Sequence, residues 1–372
     1  MSKPLIVVES PTKVRTLKKY LGKDFNVAAT VGHIKDLPQR KLGIDIEQGF
    51  KPEYRTIPGK EKVIKDLKRA ASNYTAIFLA PDPDREGEAI AWHTSEILKK
   101  KERRFHRVLF HELTKKAVLE ALEHPQTLNR NKFDAQQTRR ILDRLVGYEI
   151  SPLLWRKVKS GLSAGRVQSV AVRIICERER AIQAFEPEEY WSITAHLESD
   201  APPPYTSKLV KKDGHKIKIP DEKTTRGILT ELDGENFVVE KIQKKTVKKN
   251  PLPPFITSKL QQEAIRKLRF SARKTMIIAQ QLYEGIDLGP GEPVGLITYM
   301  RTDSTRIAAE AAVEAQQLIL DRFGNEYALD KPRYFKNKNK AQDAHEAIRP
   351  TSVLNTPERV KPHLSAEQFA LY

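Results

Sequence analysis

The chain has 372 residues, and its 66 Lys and Arg against 48 Asp and Glu give a formal net charge of +18 at pH 7. This length predicts about two to four domains, and the basic excess favours a polyanionic partner, most simply nucleic acid, over a merely basic enzyme. A single cysteine, Cys176, excludes an internal disulfide and a four-cysteine zinc site, and no run of about 18 apolar residues is present to span a membrane.

The first predicted strand is "PLIVVE", residues 4–9. Ser10 is then an N-cap and Pro11 a first helical residue for a helix that Gly22 ends. Glu9 therefore follows the carboxyl end of a strand, and Lys13 lies in the first turn of the next helix. Phosphates bind at such an edge, because free helix N–H groups and the positive end of the helix dipole point into it.

The next segments alternate between strand and helix patterns. Residues 36–60 predict a long loop, and a helix over about 61–71 leads to the strand "TAIFLA". A helix begins after Gly87, "HRVLFHE" predicts another strand and "TKKAVLEALEH" another helix. The alternation predicts a mostly parallel α/β sheet over residues 1–125.

Beyond residue 130 the pattern changes twice. Residues 131–185 are helical in period, with Cys176 expected to be buried, and residues 188–247 show β alternation between proline-rich hinges. Helices return after residue 257, where Ser258 and Gln261 predict a capping box and Ser271 predicts the next N-cap. We expect domains at 1–128 (α/β), 129–187 (helical), 188–254 (β) and 255–372 (helical).

The stretch "LAPDPDREGEAIAWH", residues 79–93, concentrates acids in a basic chain. Asp82, Asp84 and Glu86 are spaced by two, so in an extended segment their carboxylates project to one side and, with Glu9, form an all-oxygen site of the kind Mg²⁺ prefers. The alternative is a set of ordinary acids that favour a helix N-terminus. Arg85 after the second aspartate argues against an aspartyl phosphatase, and no G-x-x-x-x-G-K-[ST] motif for ATP is present.

A second group of residues lies in "GLITYMRTDSTR", where Tyr299 precedes Arg301 by two positions. Alone, Tyr299 would be read as a strand tyrosine beside solvated charges. Together with "VVESPTK", "VGHIKDLP", "DPDREGEAIAWH", "QQTRRILDRLVGY", "LSAGRVQS" and "DAHEAIRP", however, the chain resembles the type IA DNA topoisomerases, most closely their bacterial topoisomerase I branch. The motifs run in family order from residue 5 to residue 350; Pro81, where the family commonly has a small hydroxyl residue, is one departure.

The resemblance implies that Tyr299 attacks a DNA phosphodiester, forms a 5′-phosphotyrosine and frees a 3′-hydroxyl, with Mg²⁺ needed for resealing. A tyrosine pKa of about 10 places the phenolate about 4 kcal/mol uphill at neutral pH. Arg301 and a phosphate-bound Lys13 would supply much of this by stabilising the developing charge, with no general base required. Glu9 is the candidate proton donor to the 3′-oxygen, with its pKa raised by the neighbouring acids.

The remaining candidates are DNA contacts implied by the resemblance. Arg139 and Asp143 could instead form a surface pair, and His33 and His345 could be surface or capping residues. Arg173, two turns from Arg166, is expected on the same helix face, which would extend a basic track. The full set is His33, Arg85, Arg139, Arg140, Asp143, Ser163, Arg166, Gln168, Arg173, Asp303 and His345.

The implied fold is a Toprim-type α/β sheet, a helical DNA-binding domain, a small β hinge domain and a helical domain carrying the tyrosine, together part of a torus. The chain ends within a helical pattern where family members continue, so we expect DNA binding and cleavage, but not full relaxation. The implied partner is the single-stranded segments of underwound DNA, bound by a cytoplasmic, nucleoid-associated monomer. The alternatives are a Toprim-type nuclease or primase, which leaves Tyr299 without a role, and a non-catalytic single-strand binder.

Overall fold

The computed structural model describes residues 4–198, 203–289, 293–335 and 346–372. They form two compact units, one of Met1–Arg166 with Pro251–Tyr372 and one of Val167–Asn250. Within these described ranges, no helix is both long and apolar enough to cross a bilayer.

Strands and helices alternate in the first part of the chain. The strands are β1 Leu5–Val8, β2 Asn26–Ala29, β3 Lys35–Asp36, β4 Ile44–Asp45, β5 Lys51–Pro52, β6 Arg55–Thr56, β7 Ala76–Leu79, β8 Arg104–Arg107, β9 Thr194–Leu197, β10 Tyr205–Lys208, β11 Lys211–Lys212 and β12 His215–Lys216. The helices are α1 Pro11–Leu21, α2 Glu61–Ala70, α3 Arg85–Leu98, α4 Lys115–Glu123, α5 Arg130–Leu145, α6 Ser151–Lys157, α7 Gln168–Gln183, α8 Glu222–Leu232, α9 Thr257–Glu263, α10 Ala272–Glu284, α11 Ala309–Phe323, α12 Pro357–Val360 and α13 Ala366–Leu371. Short π-helical segments, Val146–Ile150 and Ala264–Leu268, follow α5 and α9, and a 3₁₀ turn, Lys361–His363, follows α12.

A four-stranded parallel sheet in the order β2-β1-β7-β8 is the centre of the first unit. Because side chains alternate along a strand, Ile6 and Val8 of β1 pack with α1 and α4, whereas Leu5 and Val7 pack with α2 and α3. With both faces covered, the strand is a continuous apolar run in the sequence. Ser10 caps α1 by accepting from the Lys13 N–H, as predicted.

The predicted loop at residues 36–60 forms an excursion from this sheet. It holds two small antiparallel pairs, β3 with β6 and β4 with β5. Helix α5 secures it, since Arg144 donates to the Pro38 and Lys41 carbonyls at 2.8 and 3.1 Å. The Phe133 ring of α5 also stacks on Trp92 of α3, with centroids 4.8 Å apart.

Residues 251–372 build a second core in the first unit. Leu282, Leu296, Met300 and Ile348 are buried together, and the segment around Tyr299 runs through this cluster. Ser271 caps α10 as predicted. The predicted capping box of Ser258 and Gln261 is wrong: α9 begins two residues earlier than that box requires, at Thr257, whose hydroxyl donates to the Met300 and Thr302 carbonyls.

The unit Val167–Asn250 contains α7, two hairpins and α8. The β9–β10 and β11–β12 pairs are antiparallel, and Ile193, Ile219 and Ile228 form its small core. Helix α8 was not predicted, although Asp221 caps it by accepting from the Thr224 N–H at 2.6 Å. Two expectations are wrong here: residues 236–242 form no strand, and Cys176 is exposed, because α7 buries none of its residues.

Candidate active site

Glu9 and Lys13 meet at the carboxyl edge of the parallel sheet. Lys13 is fully buried; its Nζ lies 2.6 Å from Glu9 Oε1, donates to Asp82 Oδ1 and is 5.1 Å from the centre of the Tyr283 ring. Burial by itself lowers the pKa of Lys13, but the charges of Asp82 and Glu9 outweigh it and hold that pKa well above its usual value. Lys13 is therefore a buried cation between two carboxylates.

The Glu9 carboxyl has a raised pKa, as expected for a buried acid beside another carboxylate. Burial raises its pKa to about 7; the charge of Lys13 opposes this rise and the charge of Asp82 adds to it. Apart from the ion pair with Lys13, neither Glu9 carboxylate oxygen accepts a hydrogen bond from the described residues. The pKa of Glu9 is raised, as predicted. Burial is the largest cause, and repulsion from the Asp82 charge is a smaller one.

Asp84 links the acidic loop to Tyr299. Its Oδ1 accepts from the Gly87 N–H at 2.8 Å and caps α3, while its Oδ2 accepts from the Tyr299 hydroxyl at 2.8 Å. The prediction of one extended acidic row is wrong, because α3 begins at Arg85 and rotates Glu86 away from the aspartates. A methyl group at Gly87 would lie 2.0 Å from the Asp82 carbonyl oxygen, so this tight turn requires glycine.

Arg107 holds the acidic loop that contains Asp82 and Asp84, and the sequence did not predict this role. Its side chain is 1% exposed and pairs with the buried Glu88 at 2.9 Å. The guanidinium also donates to the carbonyls of Pro81 at 2.8 Å and Asp82 at 2.6 Å. Glu88 in turn accepts from the Asn129 N–H at the start of α5. Glu88 thus joins Arg107 to the start of α5. The pattern concealed both residues because charged residues are expected at the surface.

Tyr299 is 3% exposed and is held on two sides. Its N–H donates to the His111 carbonyl at 2.8 Å, and its ring meets Tyr283 edge to face with centroids 5.3 Å apart. Burial, followed by the charges of Asp82 and Asp84, raises its pKa far above the usual value. Arg301 Nη1, 3.9 Å from Asp84 Oδ2, partly offsets this rise in pKa. In this arrangement the nucleophile candidate is a neutral phenol.

The predicted metal ligands supply carboxylate oxygens, but they do not form the predicted four-carboxylate cluster. The predicted set is Glu9, Asp82, Asp84 and Glu86. Among the described residues, no three His, Cys, Asp or Glu side chains lie together as a metal site. Lys13 occupies the space between Glu9 and Asp82, and Glu86 is turned away. Mg²⁺ commonly takes one or two protein carboxylates and completes its shell with water and phosphate oxygens. Asp82 and Asp84, both close enough to perturb the Tyr299 hydroxyl, fit such a two-carboxylate site.

Glu86 belongs to a second polar group beside the first. His33 Nε2 lies 3.3 Å from Glu86 Oε2, and Gln136 donates to the same oxygen at 3.1 Å. The His33 hydrogen bond is the main cause that lowers the pKa of Glu86, and Arg139 adds a smaller contribution. Glu86, which the sequence predicted as a metal ligand, therefore lies instead in a polar group with His33 and Gln136, near the charge of Arg139.

The remaining candidates are dispersed. Arg140 pairs with Asp36, and Asp143 pairs with Arg166 at 2.9 Å instead of with Arg139. Because Arg166 precedes α7, the prediction that it shares a helix face with Arg173 is wrong; Arg173 pairs with Glu177. Arg85 is half-buried at the start of α3, and Ser163 and Asp303 are exposed. Gln168 and Arg173 lie in the unit Val167–Asn250, and His345 lies outside the described residues.

Comparison with known proteins agrees with this combination of a Toprim-like sheet and a tyrosine at its acidic edge. A Toprim domain profile matches residues 4–113, and a DNA topoisomerase profile matches residues 127–372. The fold is similar to a structure of full-length topoisomerase I from Thermotoga maritima, with a TM-score of 0.82 and 43% sequence identity over 99% of this chain. The chain belongs to the type IA DNA topoisomerase family, on its bacterial side, as the motifs predicted.

The predicted fold class, a multidomain α/β protein with a Toprim sheet, is confirmed by the same matches. The chain spans 58% of the length of the Thermotoga maritima protein. The four domain boundaries drawn from the sequence remain predictions.

Proposed function

We propose that this chain performs the cleavage and religation steps of a type IA topoisomerase on single-stranded segments of underwound DNA. In the complete reaction one strand is cut, the other passes through the break and the cut is resealed, which relaxes negative supercoils without ATP. The proposal includes Mg²⁺ as cofactor and a cytoplasmic, nucleoid-associated, monomeric protein. The DNA contacts are the candidate residues named above, His345 among them.

The contact between Tyr299 and Asp84 carries this proposal. The Tyr299 hydroxyl lies 2.8 Å from the Asp84 carboxylate, and Arg301 lies 3.9 Å from the same carboxylate. Lys13 is bound to Asp82. A nucleophile, a proton acceptor and cations are therefore in one place. Each is a component that phosphoryl transfer uses. A Toprim-type nuclease or a non-catalytic binder would have no use for the buried tyrosine.

The chemistry follows from these positions. The Tyr299 oxygen attacks the phosphorus, its proton passes to Asp84, and the bond from phosphorus to the 3′-oxygen breaks. Glu9, whose pKa of about 7 keeps it partly protonated at neutral pH, gives the 3′-oxygen a proton. The hydrogen bond from Tyr299 supports Asp84 as the proton acceptor in this proposal, which differs from the sequence-based expectation that no base is required. The phosphotyrosine ester keeps the energy of the broken link, so religation needs no ATP.

Cations compensate for the unfavourable ionisation of Tyr299. Arg301, with its side chain 57% exposed, is free to turn toward a phosphate and stabilise its charge in the transition state. Lys13 becomes available if Asp82 binds another cation. Asp82 and Asp84 would hold Mg²⁺, which would supply positive charge that favours resealing.

The test is a denaturing gel of a 5′-labelled and a 3′-labelled single-stranded oligonucleotide incubated with the chain. The proposal predicts protein attached to the 5′ end of the break, no ATP requirement, and loss of the adduct in Tyr299→Phe. Tyr327→Phe, at a tyrosine 72% exposed, is the matched control and should behave as wild type. Metal-dependent cutting without an adduct would favour the nuclease, and binding without cutting would favour the non-catalytic binder.

A further inference from the structure

Arg349 lies against the segment that carries Tyr299. The Thr298 N–H donates to the Arg349 carbonyl at 3.0 Å, and the Arg349 N–H donates to the Thr298 hydroxyl at 3.0 Å. The Thr298 hydroxyl itself donates to the Ala347 carbonyl at 2.7 Å. The backbone of Arg349 is thus bonded to the residue immediately before Tyr299.

The side chain of Arg349 reaches the Toprim part of the chain. Its Nη2 lies 3.1 Å from Glu112 Oε2 and 2.9 Å from Glu346 Oε2, and its Nε donates to Glu346 at 3.0 Å. The Arg349 and Glu346 side chains are each 12% exposed. His111, the neighbour of Glu112, accepts the Tyr299 N–H on its carbonyl. Two consecutive Toprim residues therefore hold the tyrosine segment, one by backbone and one through Arg349.

The physical cost of breaking this arrangement is large. Charge-assisted hydrogen bonds to a planar guanidinium are strong and directional, so they restrict the geometry of the two segments they join. Loss of one partner leaves a poorly solvated charge behind. Glu346 also accepts from the Ala308 N–H at the start of α11, which connects Arg349 to that helix.

We propose that Arg349 is a positioning residue for Tyr299: by binding Glu112 and Glu346 together, it keeps the tyrosine hydroxyl at Asp84. Its contacts to two carboxylates and to the Pro350 carbonyl engage the guanidinium within the protein, so this role needs no contact with DNA. The consequence for the reaction rests on the proposed role of Tyr299 as nucleophile. The positioning itself can be measured independently of activity.

The first measurement is the rate of adduct formation at saturating single-stranded oligonucleotide. Arg349→Met and Glu112→Gln should each slow the maximal rate about tenfold and leave the half-saturating DNA concentration unchanged. The double variant should be no slower than Arg349→Met alone, because both changes remove one interaction. Arg349→Lys should recover part of the rate. Arg322→Met, at an exposed arginine of α11, is the matched control.

The second measurement is ¹⁹F NMR of 3-fluorotyrosine placed at residue 299. The resonance should move toward that of free fluorotyrosine in Arg349→Met and Glu112→Gln, but not in Arg322→Met. An unmoved resonance with an unchanged maximal rate would overturn the inference, and so would a change confined to the half-saturating concentration. If Arg349→Met fails to fold, Glu112→Gln decides alone, since it leaves the Arg349–Glu346 pair. A moved resonance in a chain that forms no adduct would support positioning and contradict the proposed function.

Discussion

Arg107 and Glu88 form a buried ion pair beneath the acidic loop, with Nε 2.9 Å from Oε2 and side chains 1% and 2% exposed. The same guanidinium binds the Pro81 and Asp82 carbonyls, and the same carboxylate accepts the Asn129 N–H. One pair therefore joins β8, the acidic loop, α3 and the start of α5. The acids near Tyr299 owe their placement to a pair that touches none of the reacting atoms.

Removal of this pair should destabilise the chain strongly. Arg107→Met leaves the Glu88 carboxylate buried and uncompensated, so we expect the free energy of unfolding to fall by about 3–5 kcal/mol in urea titrations. Arg69→Met is the matched control: Arg69 pairs with Asp66 at 2.8 Å but is 81% exposed, and the loss should be below about 1 kcal/mol. Equal losses in the two variants would contradict the structural role of Arg107.

The substitution Gly87→Ala tests whether cleavage requires the present backbone geometry of the acidic turn. In Gly87→Ala the new methyl group collides with the Asp82 carbonyl, so Asp82 and Asp84 must move relative to Tyr299. A displacement of about 1 Å lowers such rates about a hundredfold, and we expect that effect on adduct formation. Gly147→Ala is the control, because its added methyl group would meet no atom within 4 Å beyond its chain neighbours and its own helix backbone. Full activity of Gly87→Ala would show that the turn geometry is dispensable.

The pKa of Glu9 predicts a pH dependence of cleavage. A donor with a pKa of about 7 is protonated below that pH, so the rate attributable to Glu9 should fall as pH rises through about 7. Glu9→Gln should slow adduct formation about a hundredfold or more and lack this falling limb. The measurement is the rate of adduct formation against pH in the presence of a chelator, which keeps cations from the carboxylates. Cleavage unchanged in Glu9→Gln would end the proton-donor role.

His93 should make the fold sensitive to acid. It is 2% exposed among aromatic rings, and neither ring nitrogen hydrogen bonds to a described residue. Burial lowers its pKa to about 4; the charges of Glu96 and Asp36 oppose this shift, whereas Lys35 and His33 reinforce it. The unfolded chain binds this proton at about pH 6.5. The contribution of neutral His93 to the free energy of unfolding is therefore fully present above pH 6.5 and is lost as the pH falls toward 4.

The comparison of wild type with His93→Phe isolates this effect from other titrating groups. Relative to the variant, the wild type should lose up to about 3 kcal/mol of unfolding free energy between pH 6.5 and pH 4. Denaturant titrations at several pH values measure it, with His124→Phe, at an exposed histidine, as the control. A constant difference between wild type and His93→Phe over this range would contradict a buried neutral histidine.

Local signals in the sequence predicted the parts of the site that depend on neighbours in the chain. The apolar run of β1, the Ser10 cap and Pro11 placed Glu9 and Lys13 at the sheet edge, and the structure confirms both positions. The apolar strand β7 likewise placed Asp82 and Asp84 after its end. Such features follow from cap chemistry and side-chain period, which act over a few residues.

These local signals could not predict contacts between residues far apart in the chain. The Tyr299–Asp84 bond joins residues 215 positions apart, and no pattern in the sequence predicted it. The spacing of Glu86 predicts an extended segment, whereas the Asp84 cap starts α3 and Glu86 lies beside His33. The strand predicted at "HRVLFHE", residues 106–112, was placed too late, because β8 comprises Arg104–Arg107 and pairs with β7 over those residues. In each case a tertiary contact overrode the local pattern.

The most direct test of the account is the chemical identity of the protein–DNA link. An oligonucleotide adduct formed by the wild-type chain is digested with protease and nuclease, and the remaining peptide is sequenced by mass spectrometry. The account predicts a 5′-nucleotide phosphate esterified to Tyr299 and a free 3′-hydroxyl on the other fragment. A phosphate attached to a different residue, or cleaved DNA with no attached peptide, would contradict it.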